Sequence, residues 1–392
     1  MEEETLLLKG GRVVLPERVE EGATVLVERG RVARVGTETT GAGARVLDLE
    51  GLTVYPGFVD VHIHGAVGVD TLDATADDLH RVARFLAAEG VTGWLPTLVP
   101  APEDDYRRAA SAVERLMNEQ DSRPPAALAL GVHYEGPFVN ERQCGALRTE
   151  YFRRYTSPRE LEGLATVRLE GAAHMMTLAP EVEGGVALVE ELTRRGWVVS
   201  VGHTRADVEL LERARAAGAR HMTHFLNAMP QLHHREPGPV GFGLTREDVT
   251  VDLIADGVHS DPLLLKLVVR CKTPDGVSLI SDAVAPAGLG DGEYRVWGET
   301  IRVERGRTRN ERGSIAGSVA TLSGAARMFA SLGYPEHEIA RMASLNPARL
   351  LGLARDRGSI EEGKRADLTA LDARGRVRLT LVAGRVAHDT RE

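Results

Sequence analysis

Cysteine is almost missing from this chain. Cys144 and Cys271 are its two thiols and stand far apart, which excludes a disulfide framework and a cysteine-ligated zinc site and leads us to expect a reducing, cytoplasmic setting. Lysine is nearly as rare: of 48 basic residues only four are lysines, Lys9, Lys266, Lys272 and Lys364. Positive charge is outnumbered overall, and a net charge of −9 argues against a nucleic-acid or acidic-membrane surface while leaving room for a local anion pocket. No apolar run reaches the ~18 residues of a membrane span. The acidic opening Met1 to Thr5 lacks the apolar core and cleavage site of a secretory leader, so none is expected.

What is present describes a globular enzyme-sized chain. With 392 residues, 43% hydrophobic and 27% charged, it suits one large α/β barrel with a small appendage, or two to three ordinary domains. Before residue 54, short apolar runs alternate with glycine-rich turns: Thr5–Leu8, Arg12–Leu15, Thr24–Val27, Val32–Val35 and Val46–Leu49 read as strands. Ala366–Leu371 and Val377–Val382 repeat that style near the other end. We expect residues 1–53 and 358–392 to build one small β-sandwich domain together.

Residues 54–357 read differently, as strand, loop and helix in repetition. Thr75 caps a helix with Asp78 three residues on, and Leu79, Val82 and Leu86 recur on one face before Gly90. Tyr106, Ala109, Val113 and Leu116 mark a second helix, and Val186–Arg195, Arg205–Ala217 and Asp261–Cys271 continue the series. Thr204 is expected to cap the helix at 205, with Asp207 at its third position. The strands between are Phe58–Ile63, Val91–Val99, Leu128–His133, Ala173–Leu178, Val198–Val201, His221–Phe225, Val249–Ile254 and Val277–Ser281. Eight such units predict a closed parallel (β/α)8 barrel with its active site at the C-terminal ends of the strands.

Chemistry collects at those ends. Residues two apart on a strand point the same way, so His62 and His64 project both imidazoles from one face. Two histidines on a strand end are also compatible with a solvated pair, and only the rest of the chain separates the readings. Glu135 follows the third strand, His203 the fifth, His224 the sixth, His259 the seventh and Asp282 the eighth. Seven rim placements point to a metal site. His80, His221, His337 and His388 are assigned structural roles. His133 and His174 lie within strands and are read as satisfied core histidines. Cys144 has no base specified beside it and is read as a bystander.

The motifs carry a resemblance. Pro-Gly-Phe-Val-Asp-Val-His-Ile-His-Gly at 56–65 and Ser-Leu-Asn-Pro-Ala-Arg at 344–349 resemble the metal-dependent amidohydrolase superfamily. His-Tyr-Glu-Gly-Pro-Phe at 133–138, His-Phe-Leu-Asn-Ala-Met-Pro at 224–230 and Arg-Glu-Pro-Gly at 235–238 are similar, within it, to the N-acetylglucosamine-6-phosphate deacetylase family. Ile-Ala-Asp-Gly-Val-His at 254–259 and Ser-Asp-Ala-Val-Ala-Pro-Ala-Gly at 281–288 extend the likeness, which runs nearly end to end.

That resemblance implies one or two divalent ions per subunit, Zn²⁺ or Fe²⁺ with Mn²⁺ or Co²⁺ as alternatives. Many relatives bridge two metals with a carboxylated lysine on the fourth strand, but Ala-His-Met-Met-Thr-Leu-Ala-Pro contains none, which leaves Glu135 to bridge. His203 and His224 are then expected to hold one ion with Glu135, and His62 and His64 the second. Bound water would have its pKa lowered from 15.7 to roughly 7. Asp282 would move the proton to the leaving amine, and the metal with His259 would stabilise the oxyanion. Asn227, the amide of Ala228, and Arg235 are implied to grip a phosphate, in a cytoplasmic homodimer acting on a small molecule.

Two departures stand out. The loop after Glu-Gly-Pro-Phe often ends Lys-Gly-Ala-His in the family, whereas here it reads Cys144-Gly145-Ala146-Leu147. The glycine run after His-x-His-Gly is diluted to Ala66-Val67-Gly68-Val69. An amidohydrolase for another small amide or cyclic ureide, and a silent binding barrel, remain as alternatives. Retention of every ligand speaks against the silent barrel, and Arg235 with Asn227 against the other amides.

Overall fold

The computed structural model describes residues 4–37, 41 and 43–391; the first three residues of the acidic opening lie outside the described residues. Eight parallel strands form the central sheet, in the chain order Phe58–Ile63, Val91–Leu98, a third strand in two pieces, Ala173–Leu178, Val198–Val201, His221–Met222, Thr250–Ile254 and Val277–Ile280. The third strand breaks into Leu128–Ala129 and Gly131–Glu135 and so reaches two residues beyond the expected end. Gly131 makes the break possible: at φ +148 it passes so close to Ala173 that a Cβ would sit 1.8 Å from that residue's carbonyl oxygen. Closure between the eighth and first strands runs through rim backbone, with Asp282 N–H donating to His62 O at 2.9 Å and His64 N–H to Ala283 O at 2.8 Å.

Helices cover the outside where the apolar period demands it. Ala76–Ala88 has Thr75 as N-cap in a full capping box with Asp78, and buries Leu79, Val82 and Leu86 against the barrel. Glu103–Glu119 buries Tyr106, Ala109, Val113 and Leu116 in the same way. Between the third and fourth strands the described residues carry only short 3₁₀ turns, Glu141–Gln143, Thr149–Tyr151 and Pro158–Leu161.

Two expectations fail for local reasons. Thr204 is not the cap of the fifth crossover helix. Its hydroxyl donates to Glu181 Oε2 at 2.6 Å, and Asp207 caps the shorter helix Val208–Ala217 by accepting from Leu210 N–H at 2.9 Å. The sixth strand stops at Met222 instead of Phe225, because His224 and Leu226 take left-handed backbone angles, φ 31 and 81, and turn the chain across the rim.

Both chain ends contribute to two further sheets. Leu6–Lys9, Thr24–Glu28, Arg31–Gly36 and Arg45–Asp48 make one; Arg12–Val14, Val19–Glu21, Thr53–Pro56, Leu368–Leu371, Val377–Val382 and Arg385–Asp389 make the other. Leu6, Val25 and Leu47 from the first sheet and Val13, Val54, Leu368 and Leu381 from the second share one buried core, the packing of a β-sandwich. Thr53–Pro56 leads straight into the first barrel strand. The motif at 344–349 ties that junction down: Ser344 Oγ donates to Pro56 O at 3.1 Å, and Asn346 Nδ2 to Val277 O at 2.6 Å. A hairpin with a third strand, Gly292–Val296, Glu299–Glu304 and Arg307–Arg309, leaves the barrel after the eighth strand and had no counterpart in the sequence reading.

Candidate active site

The first strand ends by presenting His62 and His64 to the barrel mouth with their Nε2 atoms 3.1 Å apart. Both rings are buried, and the chain escapes the crowding through Gly65, where φ is +150 and a Cβ would meet Val69 O at 2.0 Å. His64 Nδ1 lies 3.2 Å from Thr97 O, which also accepts the Thr71 hydroxyl at 2.5 Å. Asp60, one turn of the pleat below, takes the backbone N–H groups of His62 and Ser281 on one oxygen, both at 3.3 Å. Burial, against those hydrogen bonds, pushes the Asp60 carboxyl up to about 7.

Glu135 sits at the centre. Its Oε1 is 2.9 Å from His203 Nε2, 3.0 Å from His224 Nε2 and 3.5 Å from His62 Nε2, while Oε2 is 3.3 Å from His64 Nε2. One carboxylate thus faces two groups of donors. Burial alone would raise its pKa, but the charge and hydrogen bonds of His203 and the bonds of His224 and His64 hold it well below the usual carboxylate range. His64 is displaced the other way: burial opposes its charge, and Asp282 and Glu135 overcome that and raise it. For His62 burial wins, and its pKa falls.

Asp282 closes the second group, with Oδ1 3.3 Å from His64 Nε2 and 3.5 Å from His62 Nε2. The sequence reading gave Asp282 only a proton-transfer role; here its Oδ1 also stands where it could serve as a metal donor beside His62 and His64. His203, His224, Ala228 and Asp282 have left-handed backbone angles, φ 49, 31, 51 and 50. Such conformations cost on the order of 1–3 kcal/mol each and cluster at functional sites.

These donors fit a divalent metal. Two sets, His62–His64–Asp282 and Glu135–His203–His224, are buried, and the ligand atoms of each lie within 4.8 Å of one another. Edges of 2.9 to 3.5 Å are those of a coordination shell whose donors lie about 2.0–2.2 Å from its centre. Outer partners orient the rings: His203 Nδ1 lies 2.7 Å from Gln143 O, which anchors the 141–147 loop over the site.

Above the donors is a cavity of about 160 Å³, with Asn227, Ala228 and His259 on its wall, and Gly145, Ala146, Leu147, Trp297, Ile315 and Gly317 completing it. His259 is held by Asp256, whose Oδ1 accepts its backbone N–H at 2.9 Å and whose Oδ2 lies 2.8 Å from Nδ1. With Nδ1 so engaged, Nε2 is the nitrogen available to a substrate. Arg235 is not among the lining residues. It stands on the exposed 231–237 segment with Nη1 2.7 Å from His234 Nε2.

His133, His221 and His174 keep to structural surroundings. His133 is fully buried between Val61 O at 2.9 Å and Thr177 Oγ1 at 2.8 Å, with its ring 4.7 Å from that of His62. His221 lies 2.8 Å from Asp252 at the bottom of the sixth strand, and His174 packs on Trp197. Cys144 is a free thiol and does not line the cavity, although its neighbour Gly145 does. Asp60, Asp256 and Trp297 were missed in sequence. Asp60 and Asp256 sit two and three residues from a histidine inside motifs already noted, a spacing that carried the signal; Trp297 had none.

The family profile of the amidohydrolases matches residues 53–387. The chain belongs to the amidohydrolase family. It is 34% identical to the N-acetylglucosamine-6-phosphate deacetylase of Bacillus subtilis (strain 168), across 99% of this chain and 98% of that one. It is 37% identical to the N-acetylgalactosamine-6-phosphate deacetylase of Escherichia coli O157:H7, across 85% and 87%. Its fold superposes, with a TM-score of 0.89 and 33% identity, on an aspartate-to-alanine mutant of the N-acetyl-D-glucosamine-6-phosphate deacetylase of Mycobacterium smegmatis in complex with N-acetyl-D-glucosamine-6-phosphate, covering 98% of this chain and 100% of that one.

Proposed function

We propose that this protein is a metal-dependent deacetylase that hydrolyses the acetamide of N-acetylglucosamine 6-phosphate to glucosamine 6-phosphate and acetate. The observation that carries the reading is the position of Glu135, one carboxylate shared by two buried donor sets at the mouth of a barrel, in a chain whose relatives are deacetylases of acetylhexosamine phosphates. A divalent ion held by these residues, Zn²⁺ or Fe²⁺ with Mn²⁺ or Co²⁺ as alternatives, supplies Lewis acidity and lowers the pKa of water toward neutrality. His203 and His224 would hold one ion with Glu135, and His62 and His64 would hold a second.

The chain's own groups do the rest. Asp282, at the edge of the His62–His64 pair, accepts a proton from attacking water and delivers it to the departing amine, without which the C–N bond does not break at a useful rate. His259, steadied by Asp256, offers Nε2 to the carbonyl or a sugar hydroxyl. Asn227 and the amide of Ala228 meet the phosphate. Arg235 adds charge at the mouth from its exposed segment, which must then lean over the cavity.

Residues 1–53 and 358–392 serve as a β-sandwich support and 54–357 as the catalytic barrel, in a cytoplasmic homodimer; the homodimer and the compartment rest on the family resemblance and on the two unpaired thiols. No helix among the described residues is long and apolar enough to cross a membrane.

A second reading has a specific basis: the relative from Escherichia coli O157:H7 acts, by its name, on the galactosamine epimer. One assay tests both. Metal-loaded protein should release acetate from N-acetylglucosamine 6-phosphate faster than from N-acetylgalactosamine 6-phosphate, and far faster than from unphosphorylated N-acetylglucosamine. The reverse order of the two phosphates selects the second reading, and acetate release from neither refutes both.

A further inference from the structure

The hairpin that follows the eighth strand turns in two residues. Val296 pairs with Glu299, so Trp297 and Gly298 form the turn, with φ 53 and 81. That is the backbone of a tight type I′ turn, which asparagine, aspartate or glycine enters at little cost. A bulky aromatic at the first position is strained, so the local geometry gives no reason for tryptophan there. Its side chain supplies one.

The indole reaches back from the hairpin into the cavity wall and meets His64 edge to face, with ring centroids 5.3 Å apart. Its Nε1 is a buried atom without a hydrogen-bond partner, as is Asp70 Oδ2. Behind it the hairpin has its own small core of Ala285, Val296, Ile301 and Ala316, onto which Ala146 and Trp297 pack. Trp297 and Ala146 therefore stand between the cavity and the packed interior of the hairpin at Val296, Ile301, Asn310 and Ala316. Leu147 is next in the chain and is also part of the cavity wall, where it is buried.

The topology says which end of a substrate meets this wall. Asn227 and Ala228 follow the sixth strand and His259 the seventh. Trp297 packs on His64 at the end of the first strand, and Ala146 lies in the loop after the third. In an eight-stranded barrel the first three strands and the sixth and seventh lie on different sides of the rim, so the two groups belong to different parts of the one cavity wall. In an acetamide the methyl and the nitrogen sit on different sides of the carbonyl carbon, and hydrolysis breaks only the C–N bond. If the sugar phosphate lies toward Asn227, the acyl group points toward Trp297.

We propose that Trp297, with Leu147 beside it, is the specificity-determining wall of an acyl pocket that admits acetyl and rejects longer chains. The inference rests on the deacetylase reading above and adds what that reading leaves open, the length of acyl group accepted. Each methylene that a packed apolar pocket must accommodate or refuse changes kcat/KM by roughly 10- to 200-fold. Trp297→Ala removes the indole from the cavity wall, and a butyryl group then has the space it vacates.

The test compares N-acetyl, N-propionyl and N-butyryl glucosamine 6-phosphate with metal-loaded parent, Trp297→Ala, Trp297→Phe and Leu147→Ala, with metal content measured for each. The butyryl-to-acetyl ratio of kcat/KM is expected to rise at least about tenfold in Trp297→Ala, and by less in Trp297→Phe and Leu147→Ala. Trp297→Phe keeps an aromatic ring on the hairpin and decides the matter if the alanine variant does not fold. An active parent whose ratio stays within about threefold in every folded variant overturns the acyl pocket alone and makes Trp297 a support for His64. A parent that releases no acid from any of the three refutes the deacetylase reading, and the inference with it.

Discussion

Asp256 grips His259 twice, through the backbone N–H at 2.9 Å and through Nδ1 at 2.8 Å, so the backbone bond holds the carboxylate in place and the imidazole cannot turn away from the cavity without breaking the Nδ1 contact. Burial would raise the Asp256 pKa, yet the hydrogen bond and charge of His259 hold it below the usual range. The carboxylate therefore stays ionised beside the ring it positions.

Asp256→Asn keeps the size of the side chain and an acceptor for the backbone, but sets an amide N–H against Nδ1. The loss of orientation is expected to lower kcat/KM about 10- to 100-fold with metal content unchanged. Steady-state kinetics with metal analysis checks this; parent-like kcat/KM would mean that His259 needs no orienting partner.

Asp282 is placed to serve either as a proton carrier or as a donor to an ion shared with His62 and His64. For the proton role, Asp282→Asn should lose about 10² to 10⁴ in kcat and retain its metal. A variant that binds less metal than the parent would assign Asp282 to the metal shell, and one within a few-fold of parental rate would remove it from the proton path.

Chelation should abolish turnover, and Zn²⁺, Fe²⁺, Mn²⁺ or Co²⁺ should restore it. The ion binds the folded chain, so it should also raise the unfolding free energy by about 2.7 kcal/mol at a free concentration one hundred times Kd. Full activity of rigorously metal-free protein would sink the mechanism.

His133 gives a pH signature that does not depend on activity. Burial pulls its pKa down to about 3, whereas in an unfolded chain it would be near the ordinary ~6.5. Between those values the unfolded state binds the extra proton, so this group's contribution to stability is present above pH ~6.5 and is lost as pH falls toward ~3. His133→Gln is expected to flatten the fall of unfolding free energy between about pH 6 and pH 4 by up to ~1.4 kcal/mol per pH unit, measured by denaturant titration. Identical slopes would show that the histidine is already protonated in the native protein.

Much of this protein is legible one residue at a time. Strand and helix periods marked every barrel strand, because each strand buries both faces and each helix only one. The rim histidines, Glu135 and Asp282 followed from their place at strand ends. Local competition decided what periodicity could not: Thr204 binds Glu181 instead of capping, and the sixth strand bends at His224. Other features exist only once the barrel closes. Glu135 acquires two groups of donors because strands far apart in sequence bring His62, His64, His203 and His224 around it. Trp297 becomes part of the site because a hairpin 233 residues beyond His64 folds back against that ring. Residue type and spacing thus determined the barrel and which donor types reach its rim, since strand direction and side-chain chemistry are local properties. The sharing of Glu135 and the shape of the cavity were settled by tertiary contact, because they depend on distances between side chains that no local pattern encodes.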